Sequence, residues 1–502
     1  MTLASHSGVD GHNLRGRVLR GLGWKVATQI VMQGSRAIVA VALARLLLPE
    51  QFGLAMMAVV VSSLALIFSD LALGAALIQR KELTEADRST VFWLSVTVGL
   101  GFSCACALLA GPLAVLYGEP RVESLFVLIS PIFVLTALGS THTTLLTREM
   151  DFKSLEIRMM VGTLAGAAVG VSAAAFGMGS EAIIIQYLTT STACTLLVWV
   201  TLRWRPRLIF SVASLRSLGA YSARVFGSRV LWYVSRNADS LLIGRVLGAA
   251  ALGAYTIAYN LMLVPFSKVA GPIQEVMFPA MARIQNDRAR IGSIWLRVNH
   301  IVAAFALPAM LGLVVVAPEF VSVVLGDRWQ AAVTPIQILA WVGALQSLVR
   351  LNGIVQQACD RADIMFRWAL VTAAANLVAF GVGVSWGIVG VATAYAVANT
   401  VLQPANVWLT GRIVGVPFGT FWRNLAGTAR ATAVMLIAIV PLRQLLLAEH
   451  AGAELRLGAV VVAGAVVYVL ACAVLDRPLL DELRSLRGRR APRAVAAPAH
   501  AG

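Results

Sequence analysis

The stretch "RNADSLLIGRVLGAAALGAYTIAYNLMLVP" at Arg236–Pro265 is mostly apolar, yet it opens with an arginine, an asparagine and an aspartate in four residues. Upstream on the same expected helix stand Ser222, Arg229 and Tyr233, and Ser240 follows. At 100° per residue these side chains share a face with Arg236. Near the start of the chain, Lys25, Gln29, Gln33 and Arg36 fall within about 80° of one another on a second apolar helix. Each helix therefore carries a polar, cationic stripe. Charge inside a membrane is costly and rarely faces lipid, so the two stripes are expected to line one central cavity. Low-dielectric walls strengthen such a field. The ligand chemistry that follows is anionic, and the planar guanidinium fork suits phosphate.

Each residue also has a plainer reading. Arg36 and Arg236 stand near the external ends of their helices, where long side chains snorkel to the surface; Arg229 stands seven residues before Arg236, deeper in the span. Arg224 points to another face. Asp239, three residues from Arg236, is either a local ion-pair partner or a gate residue. Tyr255 and Tyr259, with Asn260 beside them, could stack on and hydrogen-bond to sugars, or anchor a helix at the interface. Asp70, Lys268 and Glu275 are candidates for ion coupling, which no lone acidic residue establishes.

No catalytic set accompanies these residues. The six histidines (His6, His12, His142, His300, His450 and His500) lie near no candidate nucleophile, and no phosphate-loop pattern is present. The five cysteines, Cys104, Cys106, Cys194, Cys359 and Cys472, form no metal-type cluster and read as small core residues. No enzyme activity, cofactor or metal is expected. Neither is a nucleic-acid partner, although the net charge is +17.

The elements that must position these residues are membrane helices. The 502 residues are 59% hydrophobic and 13% charged, against roughly 25% charged in soluble proteins, and the mean hydropathy is +0.80. The expected fold class is an all-α polytopic membrane protein of about 14 transmembrane helices. They fall near 22–47, 53–78, 91–116, 124–147, 158–178, 181–202, 216–247, 251–281, 293–317, 330–350, 366–386, 388–411, 424–447 and 456–475. Met1–Leu22 is polar and basic, without a signal-peptide cleavage site. With the N-terminus cytoplasmic, thirty Lys and Arg fall on the cytoplasmic side and six on the other. That bias sets both termini in the cytoplasm. The five basic residues left over, Arg36, Arg224, Arg229, Arg236 and Lys268, all lie inside expected spans.

An internal repeat organises the helices. Arg36, Arg45 and Gly53 recur as Arg236, Arg245 and Gly253, always 200 residues on. Helix 1 thus pairs with helix 7, and six helices separate the copies, so both have the same orientation. Transporters built on parallel repeats hold substrate between their halves. The expected organisation is a basic tail (1–21), a six-helix bundle (22–202), a basic linker (203–215), a second six-helix bundle (216–411), two additional helices (412–475) and a basic tail (476–502). That tail is expected to be disordered and drawn to anionic lipid. In helix 5, Gly162, Gly166 and Gly170 mark a face for close packing. In helix 8, Pro265, Pro272 and Pro279 are expected to bend the helix.

The turn "ARLLLPEQFGL" at Ala44–Leu54, the stretch from Arg236 to Pro265, and "FPAMARIQ" at Phe278–Gln285 resemble the bacterial polysaccharide transporter family. These are the Wzx-type oligosaccharide flippases of the multidrug/oligosaccharidyl-lipid/polysaccharide superfamily. The resemblance runs over roughly Leu14 to Phe421. It implies two six-helix bundles around a central cavity plus two C-terminal helices. It also implies transfer of undecaprenyl-pyrophosphate-linked oligosaccharide units from the cytoplasmic to the periplasmic leaflet of the inner membrane by alternating access, for O-antigen, capsule or exopolysaccharide. A polysaccharide polymerase and a chain-length regulator are the implied partners, and Arg36, Arg229 and Arg236 the residues that fit pyrophosphate contact. The alternatives are a drug/cation antiporter or a lipid II flippase of the same superfamily. An antiporter for cationic drugs needs an acidic or apolar cavity, whereas the embedded balance here is basic. A major-facilitator transporter fits less well, since "QRKELTEADRST" lacks the glycines and arginines that flank that class's DR pair.

Overall fold

The computed structural model describes residues 34–70, 83–265 and 283–479, together with Met32, Gly74, Leu77, Ile78, Met277 and Met281. Helix is the regular structure of the described residues, and no strand occurs among them. Each of the fourteen expected spans overlaps a helix. Ten helical stretches among the described residues are long and apolar enough to cross a membrane. Some of these stretches join two helices: Ala362–Val414 turns at Gly387, and Asn237–Val264 turns at Gly248.

Two compact units make up the chain. The first holds residues 1–256 and 324–329, the second 257–323 and 330–502. The dividing point at 256/257 falls inside a helix.

The first unit opens with α1 (34–46) and α2 (Pro49–Asp70). There follow α3 (Glu85–Leu108), α4 (Ala110–Tyr117), α5 (Val122–Ile129), α6 (Ile132–Arg148), α7 (Phe152–Ala175) and α8 (Ser180–Thr201). Local chemistry starts these helices. Thr84 caps α3 in a reciprocal box with Asp87, each side chain accepting from the other's N–H at 3.1 Å. Asp151 caps α7 through the Ser154 N–H at 3.1 Å.

The expected glycine face is used as a packing face. A methyl group on Gly162, Gly166 or Gly170 of α7 would run into Cys194, Thr190 or Gln186 of α8 respectively. Those partners recur every four residues along α8, so the two helices lie antiparallel with their backbones close. Gly166→Leu is therefore expected to cost about 1–3 kcal/mol through overpacking, read as a lower melting temperature in detergent, whereas a leucine at the open position Gly101 should leave it unchanged.

The run Val212–Pro265 (α9) is one helix interrupted at Gly248, whose φ of 82° and ψ of −178° lie in a region that in practice only glycine occupies. The interruption separates expected helices 7 and 8 where the sequence places their turn.

The second unit contains α10 (Arg288–Phe320), α11 (Val333–Val349), α12 (Asn352–Ala358), α13 (Ala362–Gly383), α14 (Gly387–Val414), α15 (Phe418–Ala448) and α16 (Ala453–Leu475). Trp295 of α10 stacks on Phe421 of α15 at 4.9 Å and donates its Nε1–H to Asn352 Oδ1 at 3.0 Å. Helices α15 and α16 are tied to α10 by buried polar contacts at two levels. Asp476, just past α16, accepts from Thr428 Oγ1 at 2.6 Å and faces His300 Nε2 at 2.9 Å. Glu319, 2% exposed, receives Arg443 Nε at 2.9 Å and lies 3.5 Å from Arg456 Nε. A polar row runs along α14, where Gln346 donates to the Tyr395 hydroxyl at 2.7 Å and Gln356 to Asn406 at 3.1 Å and Thr410 at 2.9 Å. Pairing of this kind is what lets polar groups sit inside apolar helices.

Candidate functional site: a cationic, tyrosine-lined face

The described part of the cationic stripe lies in the first unit. Arg36 is on α1 and is exposed, although it falls in an expected membrane span. Its charge lies within electrostatic reach of the Tyr187 hydroxyl on α8, and Tyr187 in turn of Tyr233 on α9. Tyr187 is 42% exposed. Tyr233 is half-buried and donates its hydroxyl proton to the Val60 carbonyl of α2 at 2.7 Å, with Ser63 beside it. The direct contact in this region is that of Tyr233 of α9 with α2, through the Val60 carbonyl and Ser63. Helix positions 229 and 236 flank Tyr233 by four and three residues, on the same side of α9.

The other expected residues fall in different places. Lys25, Gln29, Gln33, Lys268 and Glu275 lie outside the described residues, as do the side chains of Asp70, Arg229 and Arg236. Asp239 is 2% exposed; one carboxylate oxygen accepts from the Tyr255 hydroxyl at 3.0 Å and the other from the Ser240 N–H at 2.7 Å. Tyr255 is fully buried, so this tyrosine holds a buried carboxylate and presents no ring for stacking. Tyr259 is half-buried and Asn260 exposed. Of the expected bending prolines, Pro265 ends α9, and Pro272 and Pro279 lie outside the described residues.

Tyr187 is the residue the sequence reasoning missed. Its only signal is that Gln186–Tyr187 interrupts an otherwise apolar stretch, "AIII", in the first half of α8. Outside the spans, Arg121 bridges Glu50 at 2.6 Å and Glu119 at 2.7 Å. Its hydrogen bond holds the Glu119 carboxyl below the usual carboxylate range.

Among the described residues no cluster of His, Cys, Asp and Glu is arranged to hold a metal ion. A guanidinium fork such as that of Arg36 and a phenol such as that of Tyr187 are groups that bind phosphate and sugar oxygens.

A multi-pass membrane protein built from helices is the class that the fold defines. The chain belongs to the polysaccharide biosynthesis protein family, which matches residues 42–334. It is 31% identical to the lipopolysaccharide biosynthesis protein WzxC of Escherichia coli over 71% of this chain and 73% of that one. It is 27% identical to the succinoglycan biosynthesis transport protein ExoT of Rhizobium meliloti over 96% and 97% of the two chains. Among solved structures, the lipid II flippase MurJ in an inward closed conformation superposes with a TM-score of 0.73, covering 91% of this chain and all of that one. At 14% identity that likeness is one of fold. The family expected from Ala44–Leu54, Arg236–Pro265 and Phe278–Gln285 is the family found.

Proposed function

We propose that the chain is a flippase for lipid-linked oligosaccharide units. It moves an undecaprenyl-pyrophosphate glycan from the cytoplasmic to the periplasmic leaflet of the bacterial inner membrane by alternating access, with both termini cytoplasmic. The product feeds assembly of a surface polysaccharide: O-antigen, capsule or exopolysaccharide. The polyprenyl tail stays in lipid while pyrophosphate and sugars cross along the cationic face. A polysaccharide polymerase and a chain-length regulator are its working partners.

The observation that carries this reading is Arg36. A charged side chain exposed within an expected membrane span is costly without an anionic counterpart. It lies within electrostatic reach of the Tyr187 hydroxyl and recurs 200 residues on as Arg236. Names among the relatives, lipopolysaccharide biosynthesis and succinoglycan biosynthesis transport, fit a glycan cargo. A drug/cation antiporter would want the opposite sign of charge on this face.

Native mass spectrometry of the purified full-length protein tests the cargo class. Mixed with undecaprenyl-pyrophosphate oligosaccharide and an excess of phosphatidylethanolamine, the protein is expected to retain the pyrophosphate-linked species. Retention of both lipids in proportion to their abundance would count against the proposal.

A further inference from the structure

The residues that define the repeat have more in common than spacing. Gly53, at the start of α2, lies so close to the Ala249 carbonyl that a methyl group there would overlap it. Gly253 stands in the same relation to the Pro49 carbonyl. Pro49 and Ala249 are themselves 200 residues apart. Residue i of one copy therefore meets residue j of the other, and j meets i, which is the signature of a two-fold, self-complementary contact. The contact is backbone on backbone at both points.

The turns on either side repeat the exchange. Arg45 donates from Nε to the Val324 carbonyl at 3.1 Å, and Trp329 donates from Nε1 to the Ala44 carbonyl at 2.7 Å. Phe52 meets the Trp329 ring edge-on at 5.7 Å. In the second copy, Arg245 lies against Gly118, and Gly244 packs on the Tyr117 ring. Residues 117–118 follow the third expected helix of the first half, and 324–329 follow the third of the second half. Each copy's first turn thus docks on the matching loop of the other. All these residues lie in the first compact unit, on the side that the basic-residue bias makes external.

We infer that this ring of duplicated contacts is the exit gate, shut in the present structure, and that Gly53 and Gly253 are the residues that allow it to shut. The inference rests on the proposed outward transport. Because carbonyl oxygens occupy the space beside both glycines, a side chain at either one cannot be accommodated by rotating a neighbouring side chain. It must hold the two helix starts apart. Arg45 and Arg245 act as latches to the facing loops, and opening breaks both sets of contacts together.

The test uses the full chain with its five native cysteines replaced, a protease site in the 203–215 linker, and cysteines at Arg45→Cys and Val324→Cys. A short, membrane-impermeant bifunctional thiol reagent added from outside is expected to join the two halves, so that they stay together after cleavage. The cross-link should abolish glycan transport, and reduction should restore it. Adding Gly53→Leu and Gly253→Leu should abolish the cross-link while the protein keeps a cooperative thermal transition. Transport at the uncross-linked rate with the link in place would overturn the gate. So would undiminished cross-linking in the leucine variant, whatever cargo is carried. If the glycine changes release the cross-link but the parent protein moves no lipid-linked glycan, the gate stands and the cargo reading falls.

Discussion

Replacing Arg229 and Arg236 together by alanine is expected to slow transport of a pyrophosphate-linked glycan by about 100-fold or more, with little change in stability. Hydrogen bonds to charged groups contribute about 1.5–3 kcal/mol each, and each 1.4 kcal/mol is tenfold in rate. Losing two such contacts where negative charge must cross the apolar layer therefore removes at least two decades. Alanine is the strongest helix former, so α9 should persist and the melting temperature should move little. Lysine at both positions keeps the charge and loses the planar fork; it is expected to recover part of the rate. The initial flipping rate in proteoliposomes, read beside a detergent melt, checks both halves of the prediction. Wild-type transport by the double-alanine variant would remove the cationic face from the account.

The second large effect is on stability. Glu319→Ala should destabilise the protein by about 3–5 kcal/mol, the cost of leaving a buried charge without its partner. Arg443 is 23% exposed on its side chain and Arg456 20%, and both converge on the same carboxylate. The carboxylate joins α10, α15 and α16, the last two being the helices outside the repeat. Loss of this tie is expected to appear as a markedly lower melting temperature, with early exposure of the C-terminal helices to protease. The triple change Glu319→Leu with Arg443→Met and Arg456→Met should restore most of the stability, because removing all three charges leaves nothing unpaired. A single Glu319→Ala variant that melts with the parent would show that water already reaches the two arginines.

Much of this architecture was legible because membrane helices are long and their composition is one-sided. The spans, the turn between helices 7 and 8, and the glycine face of α7 all declare themselves as runs or periods. Arg36, Arg45 and Gly53 recur 200 residues on, and the contacts of Gly53 and Gly253 give a physical reason for glycine at both positions: a backbone crossing leaves no room for a side chain. Isolated polar residues were not legible. Glu319, His300, Asp476 and the row along α14 are single breaks in apolar sequence, and only packing shows which of them meet. Tyr187 was hidden for the same reason. Tyr255 and Tyr259 look like equivalent neighbours one turn apart, yet one is buried on Asp239 while the other is half-buried. Helical spacing fixes which residues share a face and does not say what that face packs against.

The most direct measurement is transbilayer movement of a fluorescent undecaprenyl-pyrophosphate oligosaccharide in proteoliposomes, followed by quenching from the outer medium. The account predicts that the purified chain equilibrates this lipid between leaflets much faster than protein-free vesicles, and that a glycolipid lacking the pyrophosphate is moved poorly. Equal rates with and without protein, or uptake of a cationic drug in place of the glycan lipid, would contradict it.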